Sequence, residues 1–203
     1  LSFVGGLAPA WAGIFPSAEY RQAIDSDSWN KKVAYDQGAE QRMPWHYYTY
    51  LVDDDVSVEY TEGRKTGFFR FIFPSGSAKN LLFGAYNRGK NQWRFTGGKT
   101  VEAVQIYPAE SGHQPIPVYL YGRFNRAAQS GTVSEGKVIT ASDINGEAAK
   151  AYCSFGDGND SIIEFRYAVS YISEEQAKKN YEEELGNNIS FDELAAKAKN
   201  IWA

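Results

Sequence analysis

The chain has 203 residues, with 25 acidic against 21 basic side chains and a formal net charge of −4. That length suits one globular domain with a sizeable core, and the lack of a basic stripe gives a nucleic-acid groove little support. The single cysteine, Cys153, rules out an intrachain disulfide and reads as a small buried apolar residue; no apolar run approaches the roughly 20 residues of a bilayer span. Glycine at 19 against proline at 7, and aromatics at 15%, favour a turn-rich β protein. The start lacks a methionine and a signal-peptide pattern, and the end stops on a helical pattern without a cap. Both ends are expected to be cuts through a longer polypeptide.

Residues 1–32 are broken by Gly5, Gly6, Pro9, Gly13 and Pro16, so a long ordered loop is expected there, with Trp11 and Phe15 as anchors. Residues 47–52 are rich in β-formers. The acidic run Asp53, Asp54 and Asp55 then makes a turn, and Val56, Val58 and Tyr60 alternate with polar neighbours. After a polar turn, Phe69, Phe71 and Phe73 form a third strand that Pro74 ends, because proline cannot donate to a ladder. Residues 81–85, 93–96, 100–107, 118–124, 137–141 and 149–155 are further predicted strands. The cleanest alternation runs through Ile163, Phe165, Tyr167, Val169 and Tyr171, so one of its faces should be buried. Ser173 with Gln176, and Ser190 with Glu193, are capping boxes that start two helices, and Gly186 is expected to stop the first in a left-handed conformation. Leu194, Ala198 and Ile201 recur at helical spacing. Many short strands punctuated by turns point to an antiparallel β-sandwich over residues 1–172, followed by a helical segment over 173–203.

Chemistry-bearing residues are sparse. The only histidines are His46 and His113, no His/Cys cluster has zinc spacing, and there is no nucleophile elbow, phosphate loop or dinucleotide fingerprint. Asp53 to Asp55, and the acidic turn at 157–160, could each offer oxygen ligands to calcium. Neither has the twelve-residue loop with its closing glutamate, so solvated turns are the plainer reading and no metal ligand is nominated. No catalytic residue is nominated either. The crowded stretch Arg42, Pro44, Trp45 and His46 offers a sugar-binding surface, since indole faces stack on sugar C–H groups while Arg and His hydrogen-bond hydroxyls. Trp11 is a further candidate on the same grounds. Trp93 is expected in the core, and Trp202 is expected to pack on a missing partner.

Three stretches together resemble a known family. The run from Glu40 through Pro44, Trp45, His46 and Tyr47 to Leu51 resembles a Glu…Pro-Gly-Tyr-Tyr…Leu motif. Glu59, Thr61, Lys65, Gly67, Arg70, Phe73 and Pro74 resemble a second motif, and Val169 through Ser173 with Ala177, Asn180 and Glu183 a third, which Phe191, Asp192 and Trp202 continue. In that order they resemble the N-terminal domain of glycoside hydrolase family 92. The resemblance implies a galactose-mutarotase-like supersandwich that precedes an (α/α)6 catalytic barrel in an inverting exo-α-mannosidase. It implies a secreted, periplasmic or outer-membrane-surface location, a setting common in gut Bacteroidetes, and a mannose-containing glycan as substrate. It places the general acid, the general base and a calcium ion in the barrel, so no cofactor is expected in this chain. An inverting pair stands roughly 6.5–9.5 Å apart, and no such pair is nominated here. The chain departs from the pattern where Asp36 and Gln37 replace a Ser-His pair, where Trp45 and His46 replace Gly and Tyr, and where Lys65 replaces Arg; these departures point to a divergent subgroup or a different glycan.

The leading expectation is a non-catalytic domain that shapes a sugar site and packs on the catalytic barrel of the same polypeptide. The rival is a free-standing carbohydrate-binding or adhesion module. A weaker third option is an enzyme active within this chain through His46 and a nearby carboxylate.

Overall fold

The structure, a computed structural model, describes residues 12–18, 24–85, 89–107, 114–186 and 189–202. In chain order the described strands are β1 (Ala12–Ser17), β2 (Gln41–Met43), β3 (His46–Leu51), β4 (Val56–Glu62), β5 (Thr66–Ile72), β6 (Asn80–Ala85), β7 (Lys90–Thr96) and β8 (Thr100–Tyr107). Then come β9 (Ile116–Phe124), β10 (Gln129–Ser134), β11 (Lys137–Thr140), β12 (Asp143–Glu147), β13 (Ala151–Ser154) and β14 (Ile162–Ser170), and finally helices α1 (Glu174–Leu185) and α2 (Phe191–Trp202). The strands form a mainly β sandwich of two antiparallel sheets. The smaller runs β1-β6-β13-β10-β11 and the larger β12-β7-β8-β9-β14-β5-β4-β3-β2.

Period-2 alternation decides what each sheet buries. Val56, Val58, Phe69, Phe71, Ile163, Phe165 and Tyr167 face inward from the large sheet, and Ile14, Leu81, Phe83 and Cys153 face them from the small one. The expected core positions of Trp93 and Cys153 hold, at 3% and 0% exposure, and burial pushes the Cys153 thiol well above its ordinary range. The core is held largely by aromatic rings in edge-on and stacked contact, such as Phe83 with Phe165 at 5.8 Å and Phe165 with Tyr167 at 5.7 Å.

Several elements escaped the sequence reading. The loop expected over residues 1–32 contains β1, which pairs with β6 at an edge of the small sheet; an edge strand tolerates Pro16, whose missing N–H would break a central ladder. Strands β2, β10 and β12 are short, polar or glycine-bearing, so only pairing with neighbours defines them. Trp29, in a short 3-10 turn (Ser28–Asn30), packs with Ile24, Leu82 and Tyr152 on the outer face of the small sheet and donates its indole N–H to the Phe83 carbonyl at 2.9 Å. The acidic turn is not simply solvated. Asp54 is 6% exposed and accepts from the Ala18 amide at 3.3 Å and from Lys31 at 3.4 Å, while Asp53 accepts from the Ala34 amide and Asp55 from the Tyr50 hydroxyl.

Both helices lie on the outer face of the large sheet, so β14 is covered on both sides. Phe68 and Ala168 meet Tyr181, Leu185, Phe191 and Leu194 there. The Ser190 capping box forms in full, with the Ser190 hydroxyl accepting from the Glu193 amide and Glu193 accepting from the Ser190 amide at 2.8 Å. At Ser173 the hydroxyl caps the Gln176 amide as expected, but the Gln176 side chain turns to Asn180 instead of the cap. Gly186 ends α1 without the left-handed conformation expected of it: its φ is 5°, and a Cβ there would stand 2.8 Å from the Glu182 carbonyl oxygen.

The phenols of half-buried Tyr60 and buried Tyr167 face each other at 3.4 Å, and burial holds both pKa values above the ordinary 10.0. An acid whose pKa is raised by folding stabilises the fold fully below its unfolded value and loses that contribution as pH climbs beyond it. The melting temperature is therefore expected to fall steeply above pH 10, and Tyr167→Phe should flatten that fall. Melting curves from pH 7 to 11 check this; equal slopes in both proteins would count against it.

Candidate functional site

The strongest constellation of polar and aromatic groups gathers where the β2–β3 hairpin meets α2. Pro44 and Trp45 form the two-residue turn between β2 and β3, and the Trp45 carbonyl accepts from the Thr61 hydroxyl at 2.8 Å, which fixes the turn against β4. The Lys199 ammonium stands 5.7 Å from the Trp45 ring centroid. His46 presents its ring edge-on to Phe191, with centroids 5.9 Å apart, and its Nε2 lies 3.4 Å from Glu59 Oε1.

The register explains the rest. Glu59 of β4 lies directly opposite Arg70 of β5, on the helix-covered face, because its parity is opposite to that of Val58 and Phe71. Arg70 Nε donates to Glu59 Oε2, its other end pairs with Asp192 of α2 at 3.3 Å, and its guanidinium lies 4.3 Å over the Phe191 ring. The hydrogen bond that Arg70 donates to Glu59 comes first in holding the Arg70 pKa above its ordinary value. Glu164, opposite Arg70 on β14, is pushed up by burial, an effect that Arg166 and Arg70 oppose. Trp45, His46, Glu59, Phe191, Asp192 and Lys199 line an open groove of about 290 Å³. Its walls offer an aromatic face beside an ammonium and two carboxylates, a set suited to a polyhydroxylated ligand.

Of the residues nominated from sequence, Trp45 and His46 are brought together in this groove. Arg42 is not: it sits opposite Tyr47 in the β2–β3 ladder, on the other face of the sheet from His46, where it pairs with Glu40. Arg42 and the Tyr47 hydroxyl hold the Glu40 carboxyl below its usual range. Trp11 and His113 lie outside the described residues. Among the described residues no group of three or more His, Cys, Asp or Glu side chains is gathered as metal ligands. No described helix is long and apolar enough to cross a membrane.

Sequence reasoning placed Glu59 and Phe191 in family-like motifs without giving them a place in the site, and gave Lys199 no part. The available signal was a charged residue inside each of two adjacent strands, Glu59 and Arg70, at positions that alternate with core residues. The motif residues also lock elements together. Lys65 Nζ donates to Asn180 at 3.2 Å, and Asn180 donates to the Val169 carbonyl at 2.9 Å. Glu184 Oε2 accepts from the Arg64 amide and the Thr66 hydroxyl, both at 2.9 Å, so the β4–β5 turn grips α1. A Cβ at Gly63 would stand 2.6 Å from Glu184 Oε2, so a side chain there would displace the carboxylate from this turn.

The solved structures most similar to this chain include a GH92 inverting mannosidase of Bacteroides thetaiotaomicron, with a TM-score of 0.80 at 19% identity, covering 94% of this chain and 26% of that one. A GH92 α-mannosidase of the same organism matches with a TM-score of 0.79 at 19% identity, covering 96% of this chain and 28% of that one. A GH92 glycosyl hydrolase called ccman5 matches with a TM-score of 0.79 at 19% identity, over 98% and 28%. The chain thus spans about a quarter of the length of these structures. No curated protein matches it. The model of the glycosyl hydrolase family 92 N-terminal domain matches residues 11–170, most of the sandwich, and the chain belongs to that family.

Proposed function

We propose that this chain is the non-catalytic N-terminal domain of a glycoside hydrolase resembling α-mannosidases. In this reading the Trp45–His46 hairpin forms one wall of a sugar site, and the exposed end of α2 packs on a catalytic domain of the same polypeptide. One observation carries it: the match to the family's N-terminal domain lies in a chain about a quarter as long as the mannosidases it resembles. The engagement of Glu59 by both Arg70 and His46 supports a structural use of this carboxylate. A mannose-containing glycan, a calcium ion bound by the catalytic domain, and a secreted or periplasmic location belong to the same reading.

The rival, a free-standing carbohydrate-binding or adhesion module, draws on one observation of its own. The helices bury Tyr181, Leu185, Phe191 and Leu194 on this chain's own sheet. The parent reading frame separates the two, because a barrel-length extension favours the enzyme and a stop codon the module. The 203-residue chain is expected to release no chromophore from 4-nitrophenyl α-mannoside. In the parent enzyme, Trp45→Ala is expected to raise KM about tenfold, the effect of losing one ring-stacking contact worth roughly 1.4 kcal/mol. Turnover by the pure chain would overturn the proposal.

A further inference from the structure

A second recess lies away from the Trp45 groove, where the two sheets meet. Strand β3 runs from the Trp45 turn at one end to the acidic turn at the other, and a strand of that length spans about 17–20 Å. At the acidic end, Asp54, Lys31 and Ser28 line a recess of about 200 Å³ together with Val33, Leu51 and Leu82. Leu82 belongs to β6 of the small sheet and Leu51 to β3 of the large one, so the recess exists only through the packing of one layer on the other. Backbone pairing fixes its wall. The Val52 amide donates to the Ala34 carbonyl at 2.8 Å, and the Ala34 amide donates to the Asp53 carboxylate at 2.8 Å.

Asp54 gives the recess its chemistry. The side chain is buried, and the Ala18 amide and the Lys31 ammonium both donate to its Oδ1. Its Oδ2 is buried as well and has no hydrogen-bond partner among the described residues. A buried carboxylate oxygen left without a donor is costly, so a group that donates to it gains more than it would in water. The charges then select the donor. Lys31 already offsets the carboxylate, so a second cation meets repulsion, and an anion would face Asp54 itself. Calcium takes about six to eight oxygen ligands, whereas Asp54 is the one carboxylate in this lining and carries an ammonium at 3.4 Å. A neutral hydroxyl fits, because an O–H donating to a carboxylate makes a short, strong bond. Leu51, Leu82 and Val33 offer aliphatic surface to the C–H side of the same ligand.

We infer that this recess binds a neutral polyhydroxylated ligand the size of a single ring, with Asp54 accepting from one hydroxyl and Leu51, Leu82 and Val33 covering the apolar side. Its volume falls below that of pockets for drug-sized ligands, which start at about 300 Å³, so one ring fills it. The site is separate from the Trp45 groove and does not depend on the role proposed for that groove.

The test is an NMR titration of the isotope-labelled 203-residue chain with methyl α-mannoside, methyl α-glucoside and myo-inositol. The Ala18 amide, which donates to Asp54, reports the recess, and the Trp45 indole N–H reports the groove. At least one probe is expected to shift the Ala18 signal saturably with a Kd of about 1 mM, the range for a single ring held by few contacts. Val33→Phe fills the recess and leaves Asp54 in place, while Asp54→Asn removes the charged acceptor. Each is expected to weaken binding about tenfold or more. Should one variant fail to fold, the other decides. A saturable shift at Trp45 with none at Ala18 would sink the recess and leave the groove reading standing, and no shift at either signal sinks the recess as well. Undiminished binding by a folded Val33→Phe or Asp54→Asn protein counts against the inference. So does saturation of the Ala18 signal by methylammonium with no response to the neutral probes, since the ligand would then be a cation.

Discussion

Replacing Phe83 by alanine is expected to destabilise the domain by about 3–5 kcal/mol, lowering the melting temperature by roughly 10 °C or more. Phe83 is fully buried on β6 of the small sheet, and its ring meets Trp93 at 5.4 Å, Phe165 at 5.8 Å, and Phe95 and Phe124 at 6.2 Å from the large one. It is thus the ring that ties the two layers together. Rings of this size cannot collapse into the vacated space, because each is held by its own strand and by other rings. Both the lost transfer energy and the residual cavity therefore count. Phe83→Leu keeps most of the volume and should cost under half as much. Urea unfolding would read both values, with the slope unchanged if the denatured ensemble is the same. A loss under 1 kcal/mol for Phe83→Ala would mean that the sheets are not joined through this ring.

Arg70→Met should have the second largest effect and a more local one. Methionine keeps an apolar stem beside Phe191 but removes the donors that serve Glu59 and Asp192. The Glu59 side chain is only 13% exposed, so stripping its partner leaves a poorly hydrated carboxylate, whereas Asp192 at 79% returns to water at little cost. Breaking a fully buried pair costs about 3–5 kcal/mol; with Arg70 itself 22% exposed, roughly 2 kcal/mol is the expected loss. Because Arg70 binds a strand residue on one side and α2 on the other, amide exchange across α2 should quicken by about an order of magnitude or more, ahead of exchange in β14. A double-mutant cycle with Glu59→Gln isolates the pair, since Arg70→Met should cost much less once Glu59 is neutral. Equal costs in both backgrounds would assign the effect to packing on Phe191 alone.

The two substitutions mark the division between what could be read from the chain and what needed the fold. Phe69, Phe71 and the alternation from Ile163 to Tyr167 announce core strands in any register, because burying one face of a pleated strand needs only a period of two. The capping signals at Ser173 and Ser190 were equally local: each hydroxyl meets an amide three residues on, so the sequence spacing contains the whole interaction. Trp45 and His46, adjacent on one hairpin, were legible as a candidate surface for the same reason. Arg42, three residues before Trp45, was not separable from them in sequence, since only the pairing of β2 with β3 decides which face it takes.

The remainder depended on long-range geometry. Strands β1, β2, β10 and β12 have little propensity of their own and exist because a neighbouring edge supplies their hydrogen bonds. Phe191 and Lys199 join Trp45 and His46 across nearly 150 residues of chain, through a crossing of α2 over β4 and β5 that no local pattern encodes. By itself the amino-acid order determined the two-sheet character, the core-facing residues and the helix starts, because those follow from short-range periodicity and capping. Only the tertiary structure decided that Glu59, Arg70 and Asp192 form one ladder and that Asp54, Leu51 and Leu82 share one recess, because both depend on strand register and on how sheets and helices dock, which are properties of the packed whole.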